Sequence, residues 1–485
     1  MNVSFVLDRS SDVPLHRQIY DVWRAGILSG RFRGGERVPS SRAFAAAYGV
    51  ARVTVTSAYD QLLAEGYFET THGAGTFVSS ELPDDVLRPP VGASLRPRPI
   101  RIAASTPRAT ALIRLSRYGS RLGEIQRLPA STRPINLSNV SPDLASFPFP
   151  LWRRLVSRHL RKASPAVFDH GAQPAGHDAL RHAIAAHLAR SRAVRCSPAQ
   201  IIVVNGSQQA LDLCARLLLD PGAEAAVEEP GYPGARQLFL AHGASLRMLP
   251  VTDAGASIDA LTNRTRLVHV TPSHQFPTGV SMSLARRLAL IEWARTRGAV
   301  VLEDDYDSEY RYSGPPLPAM QSLADGASVI YIGTFSNVMF RGLRIGYLVV
   351  PRDLIGPFTT AKWMTDRHTT LLEQAALADF LEEGHLERHV RRMRRLYKHR
   401  RDVLLEELDR HFGSDAKVRG DAAGLHMTVT FRAGSGVRTR AQRAGVHLSG
   451  TEIYYRSNPA PNEFILGFSA IGERTIREGI KCLGR

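Results

Sequence analysis

The first 78 residues show short helical patterns and a terminal hairpin pattern. One predicted helix carries an apolar stripe made of Val55, Ala58, Tyr59, Leu62 and Leu63. Arg52, Thr54 and Thr56 lie at the N-terminal end and on the polar face of the same helix. An amphipathic helix packs its apolar stripe and presents its polar face. The pattern therefore favours a helix that packs on one side and offers basic and hydroxyl groups on the other, as a recognition helix does.

A second helix is predicted just before this one. It begins after a serine cap, Ser40, and ends at Gly49, where glycine allows a tight turn. Further on, the β-prone residues 67–70 and 76–78 flank a glycine-rich tip at 71–75. Together these elements predict a winged helix-turn-helix over residues 1–78. The alternative is that they form only a packing element between two copies of the chain.

The rest of the chain has two regions that differ in composition and hydrophobic pattern. Residues 79–134 are rich in proline and arginine, which predicts an extended linker. From about residue 135, β-branched runs alternate with helical stretches, and such alternation predicts a mostly parallel sheet covered on both faces. The predicted strands are Ile201–Val204, Leu267–Val270, Val300–Leu302, Val329–Ile332 and Ile345–Val350. A long, charged helical pattern over Leu371–Phe412, followed by mixed strand and helix, predicts a smaller C-terminal subdomain from about residue 370.

Composition narrows the possible partners. The chain has 485 residues and a formal net charge of +17, which makes contact with a polyanion plausible. No apolar run is long enough to cross a bilayer and no secretory signal is visible, so we expect a cytoplasmic protein without a membrane partner. The three cysteines are widely spaced and are expected to be reduced. The histidines suggest no metal site.

Candidate chemistry lies where two predicted strands end. The strand Ile201–Val204 runs into Gly206 and Ser207 at the start of a helix, and helix N-termini favour phosphate. The strand Val300–Leu302 runs into Asp304 and Tyr306. Ligands bind at the carboxyl edge of such sheets, and a carboxylate there can pair with a protonated ring nitrogen. A solvated acidic loop is the alternative for the second segment.

The N-terminal region resembles the GntR family. The resemblance covers about residues 12–78 and is carried by Val38-Pro39-Ser40-Ser41-Arg42, by Gly49-Val50-Ala51-Arg52-Val53-Thr54-Val55, and by Glu65-Gly66-Tyr67 through Gly73-Ala74-Gly75-Thr76-Phe77-Val78. It implies that double-stranded DNA is contacted by Arg42, Arg52, Thr54, Thr56, His72 and Gly73. Arginines can contact phosphates or guanine edges, and hydroxyls can bond phosphates. Ala51 and Val53 replace polar residues of many relatives, which puts some phosphate hydrogen bonds in doubt.

The chain as a whole resembles the MocR regulators. The resemblance is carried, in order, by Gly206-Ser207-Gln208-Gln209-Ala210-Leu211, Glu229-Pro230-Gly231-Tyr232-Pro233-Gly234, Thr271-Pro272-Ser273-His274-Gln275-Phe276-Pro277-Thr278-Gly279, Asp304-Asp305-Tyr306 and Gly333-Thr334-Phe335-Ser336. It implies a multi-domain chain with an N-terminal winged helix-turn-helix at 1–78. An α/β fold-type I pyridoxal-phosphate-dependent transferase-like domain would occupy 135–485 and include a smaller C-terminal α+β subdomain.

The same resemblance implies a cofactor site made of Gly206, Ser207, Gln208, Tyr232, Asp304, Tyr306, Ser336, Asn337 and Arg344. Within this set, Ser207, Gln208, Ser336 and Arg344 would surround the phosphate of pyridoxal 5′-phosphate. Asp304 would face the pyridine nitrogen, Tyr306 would face the ring hydroxyl, and Tyr232 would stack on the ring. Hydroxyls and a guanidinium suit a phosphate, and an aromatic face suits a planar ring.

Two positions depart from the family pattern. The lysine that binds the cofactor covalently is expected after Phe335-Ser336, where this chain has Asn337. A carboxamide nitrogen is neither a nucleophile toward an aldehyde nor a useful base, so no catalytic residue is predicted. The other departure lies at residues 463–468, where aminotransferases carry an arginine that binds the substrate carboxylate. Arg456 is a candidate replacement.

Three interpretations of the effector domain remain open at this point. The domain holds pyridoxal phosphate, its amine form or an amino-acid adduct non-covalently and signals to the DNA reader; or the pocket takes another anionic small molecule; or the chain is an aminotransferase with an unrecognised base. We expect a homodimer, because fold-type I pockets are completed at a subunit interface and paired operator half-sites need two readers.

Overall fold

The computed structural model divides the chain into two compact units, Met1–Thr110 and Ala111–Arg485. The residues that it describes are 7–9, 11, 13–71, 75–80, 114–125, 133–162, 173–314, 317–324 and 328–484. No helix in these ranges is both long and apolar enough to span a membrane.

The first unit is built of helices followed by a hairpin. Its elements are α1 (Leu15–Leu28), α2 (Ser41–Tyr48), α3 (Arg52–Ala64), β1 (Phe68–Thr71) and β2 (Gly75–Val78). The two strands pair antiparallel. Trp23 is 1% exposed at the centre of the core, with its ring centroid 4.5 Å from that of Phe32 and 5.3 Å from that of Phe68. The predicted winged helix-turn-helix is confirmed.

The turn between α2 and α3 forms as the sequence predicts. The Ser40 hydroxyl accepts a hydrogen bond from the backbone N–H of Ala43 at 3.2 Å, which caps α2. Gly49 ends the helix with φ of 63°, a conformation that glycine adopts without a Cβ penalty. The apolar stripe of α3 turns inward, since Val55, Ala58 and Leu62 are fully buried.

The second unit holds the remaining elements. Its helices are α4 (Arg117–Gly123), α5 (Phe149–Lys162), α6 (Asp178–Arg192), α7 (Ser207–Leu218), α8 (Pro233–His242), α9 (Leu284–Arg297), α10 (Met320–Leu323), α11 (Ile355–Asp366), α12 (Leu371–Glu382), α13 (His385–Phe412), α14 (Val437–Arg443) and α15 (Glu473–Gly484). Its strands are β3 (Ile135–Asn136), β4 (Ile201–Val204), β5 (Glu224–Glu229), β6 (Ser245–Thr252), β7 (Gly255–Ala256), β8 (Thr265–Val270), β9 (Val300–Asp305), β10 (Val329–Thr334), β11 (Gly346–Val349), β12 (Ala416–Arg419), β13 (His426–Phe431), β14 (Val446–His447), β15 (Ser449–Gly450) and β16 (Glu463–Gly467).

Eight strands form a central sheet in the order β4-β11-β10-β9-β8-β5-β6-β7. The five strands from β10 to β6 run parallel, whereas β11 and β7 are antiparallel to their neighbours. Both faces are covered. Ile202 and Val204 of β4 pack into one hydrophobic cluster, and Ile201 and Val203 pack into another. Burial on both faces explains why this strand reads as an unbroken apolar run, and the predicted mostly parallel sheet is confirmed.

The smaller subdomain has its own antiparallel sheet in the order β12-β13-β16-β15. It also takes in a segment from the start of the unit, because β3 pairs in parallel with β14 and the Ser138 hydroxyl donates to the carbonyl oxygen of Ile465 at 2.9 Å. The expectation that this subdomain begins at about residue 370 therefore leaves out a part of it. Pairing between segments about 300 residues apart along the chain leaves no local sequence signal.

The helical pattern over Leu371–Phe412 forms two helices, α12 and α13. The break falls at Gly384, whose φ of 69° is the left-handed conformation that ends a helix.

The predicted linker also contains structure, since α4 lies within it. The ring of Tyr118 in α4 is 5.0 Å from that of His242 at the end of α8. Residues 81–113 and 126–132 of the predicted linker lie outside the described residues.

Candidate functional site

A cavity of about 330 Å³ opens at the carboxyl end of the parallel strands in the second unit. Its lining residues are Val140, Ser207, Tyr232, Thr271, Phe276, Asp304, Tyr306, Asp307, Thr334, Ser336, Asn337, Arg341, Arg344, Leu425 and His426. Seven of these were predicted from the sequence: Ser207, Tyr232, Asp304, Tyr306, Ser336, Asn337 and Arg344. The structure therefore brings together predicted residues from four separate segments of the chain.

One end of the cavity is built for an anion. Gly206 caps the N-terminus of α7 with φ of 87°, and Ser207 is the first residue of that helix. The Arg344 guanidinium donates to the carbonyl oxygen of Asn205 at 2.8 Å. A Cβ atom at Gly206 would lie 3.0 Å from that guanidinium, so glycine permits the close approach. Helix N–H groups, hydroxyls and a guanidinium together suit a phosphate.

Gln208 stands apart from the other predicted residues. It is exposed and does not line the cavity. Its amide nitrogen donates to the carbonyl oxygen of Gly234 at 3.3 Å, and its amide oxygen accepts from the Tyr232 hydroxyl at 3.3 Å. We therefore expect Gln208 to orient the Tyr232 ring rather than to contact a ligand in the cavity directly.

Asp304 supplies a buried carboxylate to the cavity. It is the next-to-last residue of β9 and is only 6% exposed. Its Oδ2 lies 3.2 Å from Nε2 of His269, while its Oδ1 is buried with no hydrogen-bond partner in the described part of the chain. A buried oxygen without a partner is costly, and a protonated ring nitrogen would satisfy it. His269 was not predicted, because a histidine inside an apolar strand gives no local signal of a site.

Behind Tyr306 lies a buried group of His274, Asp307 and His426. The Tyr306 hydroxyl is 3.1 Å from Nδ1 of His274, and this nitrogen is 3.0 Å from each carboxylate oxygen of Asp307. Nε2 of His274 lies 3.3 Å from the carbonyl oxygen of Gly420. Burial disfavours the imidazolium, but the carboxylate of Asp307 outweighs it and raises the pKa of His274. Burial, with a smaller effect of Asp307, raises the pKa of Tyr306 well above its usual value, so the phenol keeps its proton.

This group also has the composition of a cation site. One ligand atom from each of His274, Asp307 and His426 lies within 4.8 Å of the others. The sequence suggested no such constellation, since the three residues come from three separate segments. Each already has a hydrogen-bond partner in the fold: His274 meets Asp307, and His426 Nε2 is 3.1 Å from the carbonyl oxygen of Pro277. A proton shared between His274 and Asp307 is sufficient to account for the geometry.

In the first unit, the predicted DNA residues fall on an exposed surface. Arg42 on α2 and Arg52 on α3 are exposed, whereas Thr54 and Thr56 are half-buried. The Thr56 hydroxyl donates to the carbonyl oxygen of Arg52 at 3.0 Å, which leaves its lone pairs but not its proton for a ligand. His72 and Gly73 lie outside the described residues.

The same surface contains a cleft beside the hairpin. Arg37, Ser40, Ser41, Thr56 and Thr76 are among the residues that line it. Arg37 was not predicted. It is exposed, forms an isolated backbone bridge with Phe77 of β2, and lines the cleft together with Thr56 of α3. Its position directly before the motif at residues 38–42 was the available signal.

Comparison with known proteins accounts for both units. The family model of aminotransferase class I and II matches residues 136–455, and that of bacterial regulatory proteins of the gntR family matches residues 15–78. The chain is 40% identical over 483 residues to the probable rhizopine catabolism regulatory protein MocR of Rhizobium meliloti, covering 99% of this chain and 94% of that protein. It is 32% identical to the pyridoxine biosynthesis regulator PdxR of Corynebacterium glutamicum, covering 95% and 93% of the two chains.

The chain belongs to the MocR regulators of the GntR family. The second unit of this MocR-type chain has the aminotransferase fold. The kynurenine aminotransferase of Pyrococcus horikoshii, solved in complex with PMP, superposes with a TM-score of 0.67 at 30% identity, covering 77% of this chain and 94% of that one. The predicted resemblance and fold class are confirmed.

In this MocR-type chain, Asn337 lies within the cavity wall. Its side-chain amide donates to the carbonyl oxygen of Tyr306 at 3.1 Å. Among the described residues that line the cavity there is no lysine. Lys362 is fully buried, does not line the cavity, and pairs with Asp366. The wall thus offers a carboxamide at the position after Ser336.

Arg456 does not take the place of the missing carboxylate-binding arginine. It is exposed, does not line the cavity, and contributes its backbone N–H to the Glu229 carboxylate at 2.8 Å. The side chain of Arg341 does line the cavity, and it donates to the carbonyl oxygen of Val140 at 3.2 Å. Sequence reasoning missed Arg341, although it lies between two predicted site residues, Asn337 and Arg344.

Proposed function

We propose that this DNA-binding transcription regulator uses its aminotransferase-like unit to hold a phosphopyridoxyl compound non-covalently, without catalysing transamination. The observation that carries the proposal is the contrast within one cavity. Groups suited to a phosphate, a pyridinium ring and a ring hydroxyl converge there, yet the wall presents the Asn337 carboxamide instead of an amine.

The donor set fits such a ligand. Ser207, Ser336 and Arg344 would bind the phosphate at the N-terminus of α7, where the helix dipole also favours an anion. The free Oδ1 of Asp304 would accept from the protonated ring nitrogen. The protonated Tyr306 hydroxyl would donate to the ring oxygen, with His274 behind it. Pyridoxal phosphate supplies an electron-withdrawing ring and an aldehyde that reacts with amines.

Asn337 cannot perform the two functions of a lysine at this position, which are attack on the aldehyde and proton transfer. The lone pair of an amide nitrogen is delocalised into its carbonyl, so this nitrogen does not attack an aldehyde and does not move a proton. Its hydrogen bond to the Tyr306 carbonyl further commits the Nδ2 group. Binding without covalent attachment, and therefore without turnover, is what this wall supports.

A ligand in the cavity would change how the smaller subdomain is arranged relative to the central sheet within the second unit. Val140, Leu425 and His426 belong to the smaller subdomain or pair with it. In contrast, Ser207 and Ser336 follow strands of the central sheet, and Asp304 lies near the end of one. A ligand that contacts both sets favours the arrangement in which both can reach it. A shift in population requires only this difference in affinity. We propose that a homodimer carries that shift to paired DNA readers in the cytoplasm.

The test is an absorption titration of the purified full-length protein with pyridoxal phosphate, followed by borohydride reduction and mass spectrometry. We expect saturable binding to the native protein without a reducible adduct. Asn337→Lys should form the adduct at that position. Asn263→Lys, which places a lysine on an exposed loop, is the matched control and should not gain a site-specific adduct.

Each alternative has its own outcome. An adduct in the native protein, or amino-donor-dependent formation of a keto acid, would contradict the assignment of Asn337 and favour an aminotransferase with another base. Absence of binding in both the native protein and the lysine variant would mean that the cavity takes a different anionic molecule.

A further inference from the structure

Two arginines line the cavity: Arg344, which we propose binds the phosphate, and Arg341, which has no role in that proposal. Arg344 is anchored beside Gly206 through the carbonyl oxygen of Asn205, at the N-terminus of α7. Arg341 is anchored on a different wall, through the carbonyl oxygen of Val140. The two guanidiniums thus hydrogen-bond to different segments of the chain, although their residues are close in sequence.

Neither of these guanidiniums forms an ion pair with a carboxylate among the described residues. This is unlike other arginines near the site. Arg192, close to the same strand ends, lies 2.8 Å from the Asp305 carboxylate. Although burial opposes it, that pairing raises the pKa of Arg192, whereas desolvation lowers the pKa of Arg341. Arg341 therefore keeps a positive charge that no described group neutralises.

The chemistry of the guanidinium indicates what would neutralise it. A guanidinium carries five N–H donors in a fixed fork, and the carbonyl oxygen of Val140 accepts one hydrogen bond from Arg341. A carboxylate binds such a fork through two parallel hydrogen bonds. Neither described carboxylate that lines the cavity pairs with Arg341: Oδ2 of Asp304 lies against His269, and Asp307 lies against His274.

We propose that Arg341 forms a carboxylate subsite, so that the ligand is a phosphopyridoxyl compound whose side arm carries a carboxylate, as a phosphopyridoxyl amino acid does. This inference rests on the proposed function. Arg341 is a specificity-determining residue in it: Arg344 and Ser207 recognise the phosphate, and Arg341 distinguishes a carboxylate-bearing ligand from the bare amine form. Because Arg341 also binds Val140, occupancy of this subsite bears directly on the segment that pairs with the smaller subdomain.

The experiment compares two stable probes that differ in the carboxylate-bearing arm. Pyridoxamine 5′-phosphate lacks it, and N-(5′-phosphopyridoxyl)-L-alanine carries it. Dissociation constants are measured by titration calorimetry with the full-length protein. For the native protein we expect the alanine conjugate to bind at least about ten-fold more tightly, since each ten-fold step corresponds to about 1.4 kcal/mol and charged hydrogen bonds contribute that much.

The variants assign the preference to one residue. Arg341→Gln should reduce the ratio of the two dissociation constants to near one by weakening the conjugate far more than the amine. Arg341→Lys keeps the charge but not the fork, and should retain part of the ratio. Arg456→Gln, which removes the arginine predicted from the sequence, is the control and should leave the ratio unchanged.

Two outcomes overturn the inference alone: tight binding of pyridoxamine 5′-phosphate with no preference for the conjugate, or a preference that survives in Arg341→Gln. A native protein that binds neither probe contradicts the proposed function and this inference with it.

Discussion

His269 and Asp304 face each other at 3.2 Å, from Nε2 of the imidazole to Oδ2 of the carboxylate, beneath the cavity. This contact holds the carboxylate in place, while its other oxygen, Oδ1, stays buried with no hydrogen-bond partner among the described residues. The oxygen is thus pre-positioned for a donor that a ligand brings.

Replacing this carboxylate by an amide should weaken ligand binding. Asp304→Asn removes the charge that pairs with the ring nitrogen and keeps the size of the side chain. We expect the affinity for pyridoxamine 5′-phosphate to fall by about 10-fold to 100-fold, as for a lost charge-assisted hydrogen bond. Titration calorimetry measures the change. Asp253→Asn, at a side chain that is 87% exposed, is the control. An unchanged affinity in Asp304→Asn would show that the ring nitrogen does not meet this residue.

Gly206 offers a test of the anion end that separates backbone strain from ligand binding. Gly206 and Gly222 both have positive φ values, 87° and 91°, so alanine at either position should destabilise the fold, by about 1–3 kcal/mol. Only at Gly206 would the new Cβ meet the Arg344 guanidinium, whereas Gly222 has nothing within 4 Å.

We therefore expect Gly206→Ala to lose affinity for phosphate-bearing ligands and Gly222→Ala to keep it. Urea unfolding and calorimetric titration of both variants check the two effects separately. Equal ligand affinities in the two variants would argue against an anion site beside Gly206.

Local sequence pattern predicted the parts of the fold in which local and tertiary preferences agree. The turn at Gly49 and the buried strand β4 are of this kind. β5 was missed because Glu224–Glu229 contains mainly alanine and glutamate, which disfavour strands. Its position between β6 and β8 overrides that preference, and hydroxyls satisfy its acids: Thr262 and Thr265 bond Glu224.

In the candidate site, too, some residues could be predicted from the sequence and others could not. Residues at strand ends and helix starts, such as Ser207 and Asp304, could be predicted because motif and topology place them together. His269 and Arg341 could not, since their roles depend on which side chain lies opposite them in space. For the same reason the sequence suggested Arg456, which does not line the cavity, and missed Arg341, which does.

The DNA surface of the first unit gives a direct prediction. The double variant Arg42→Ala/Arg52→Ala removes two exposed guanidiniums next to the polar face of α3. In gel-retardation assays with DNA from upstream of its own gene, we expect retardation to disappear at moderate salt. Each lost phosphate contact should also lower the salt dependence of the affinity by about one unit of log–log slope.

Arg432→Ala, at an exposed arginine of the second unit, should keep both affinity and slope. Undiminished retardation by the double variant would contradict the assignment of these two arginines, and absence of retardation by the native chain would favour the packing role for the first unit.

His426 makes the stability of the second unit depend on pH. It is 1% exposed, its Nε2 lies 3.1 Å from the carbonyl oxygen of Pro277, and its ring is 5.1 Å from that of His274, which in turn faces Asp307. Burial, reinforced by the charge on His274, lowers the pKa of His426 to about 3. The unfolded chain therefore takes up this proton first, at its usual pKa of about 6.5.

Because the unfolded chain is protonated at a higher pH than the folded one, the free energy of unfolding falls as the pH is lowered. The contribution of neutral His426 is fully present above pH 6.5 and is lost as the pH falls from there toward 3, by up to about 1.4 kcal/mol per pH unit. His426→Gln keeps a donor toward Pro277 but does not titrate. Its free energy of unfolding in urea should thus fall less steeply than that of the native protein between pH 6.5 and 5. His182→Gln, at a side chain that is 59% exposed, should follow the native profile. Parallel profiles for native protein and His426→Gln would mean that the imidazole at 426 is protonated in the folded state as readily as in the unfolded chain.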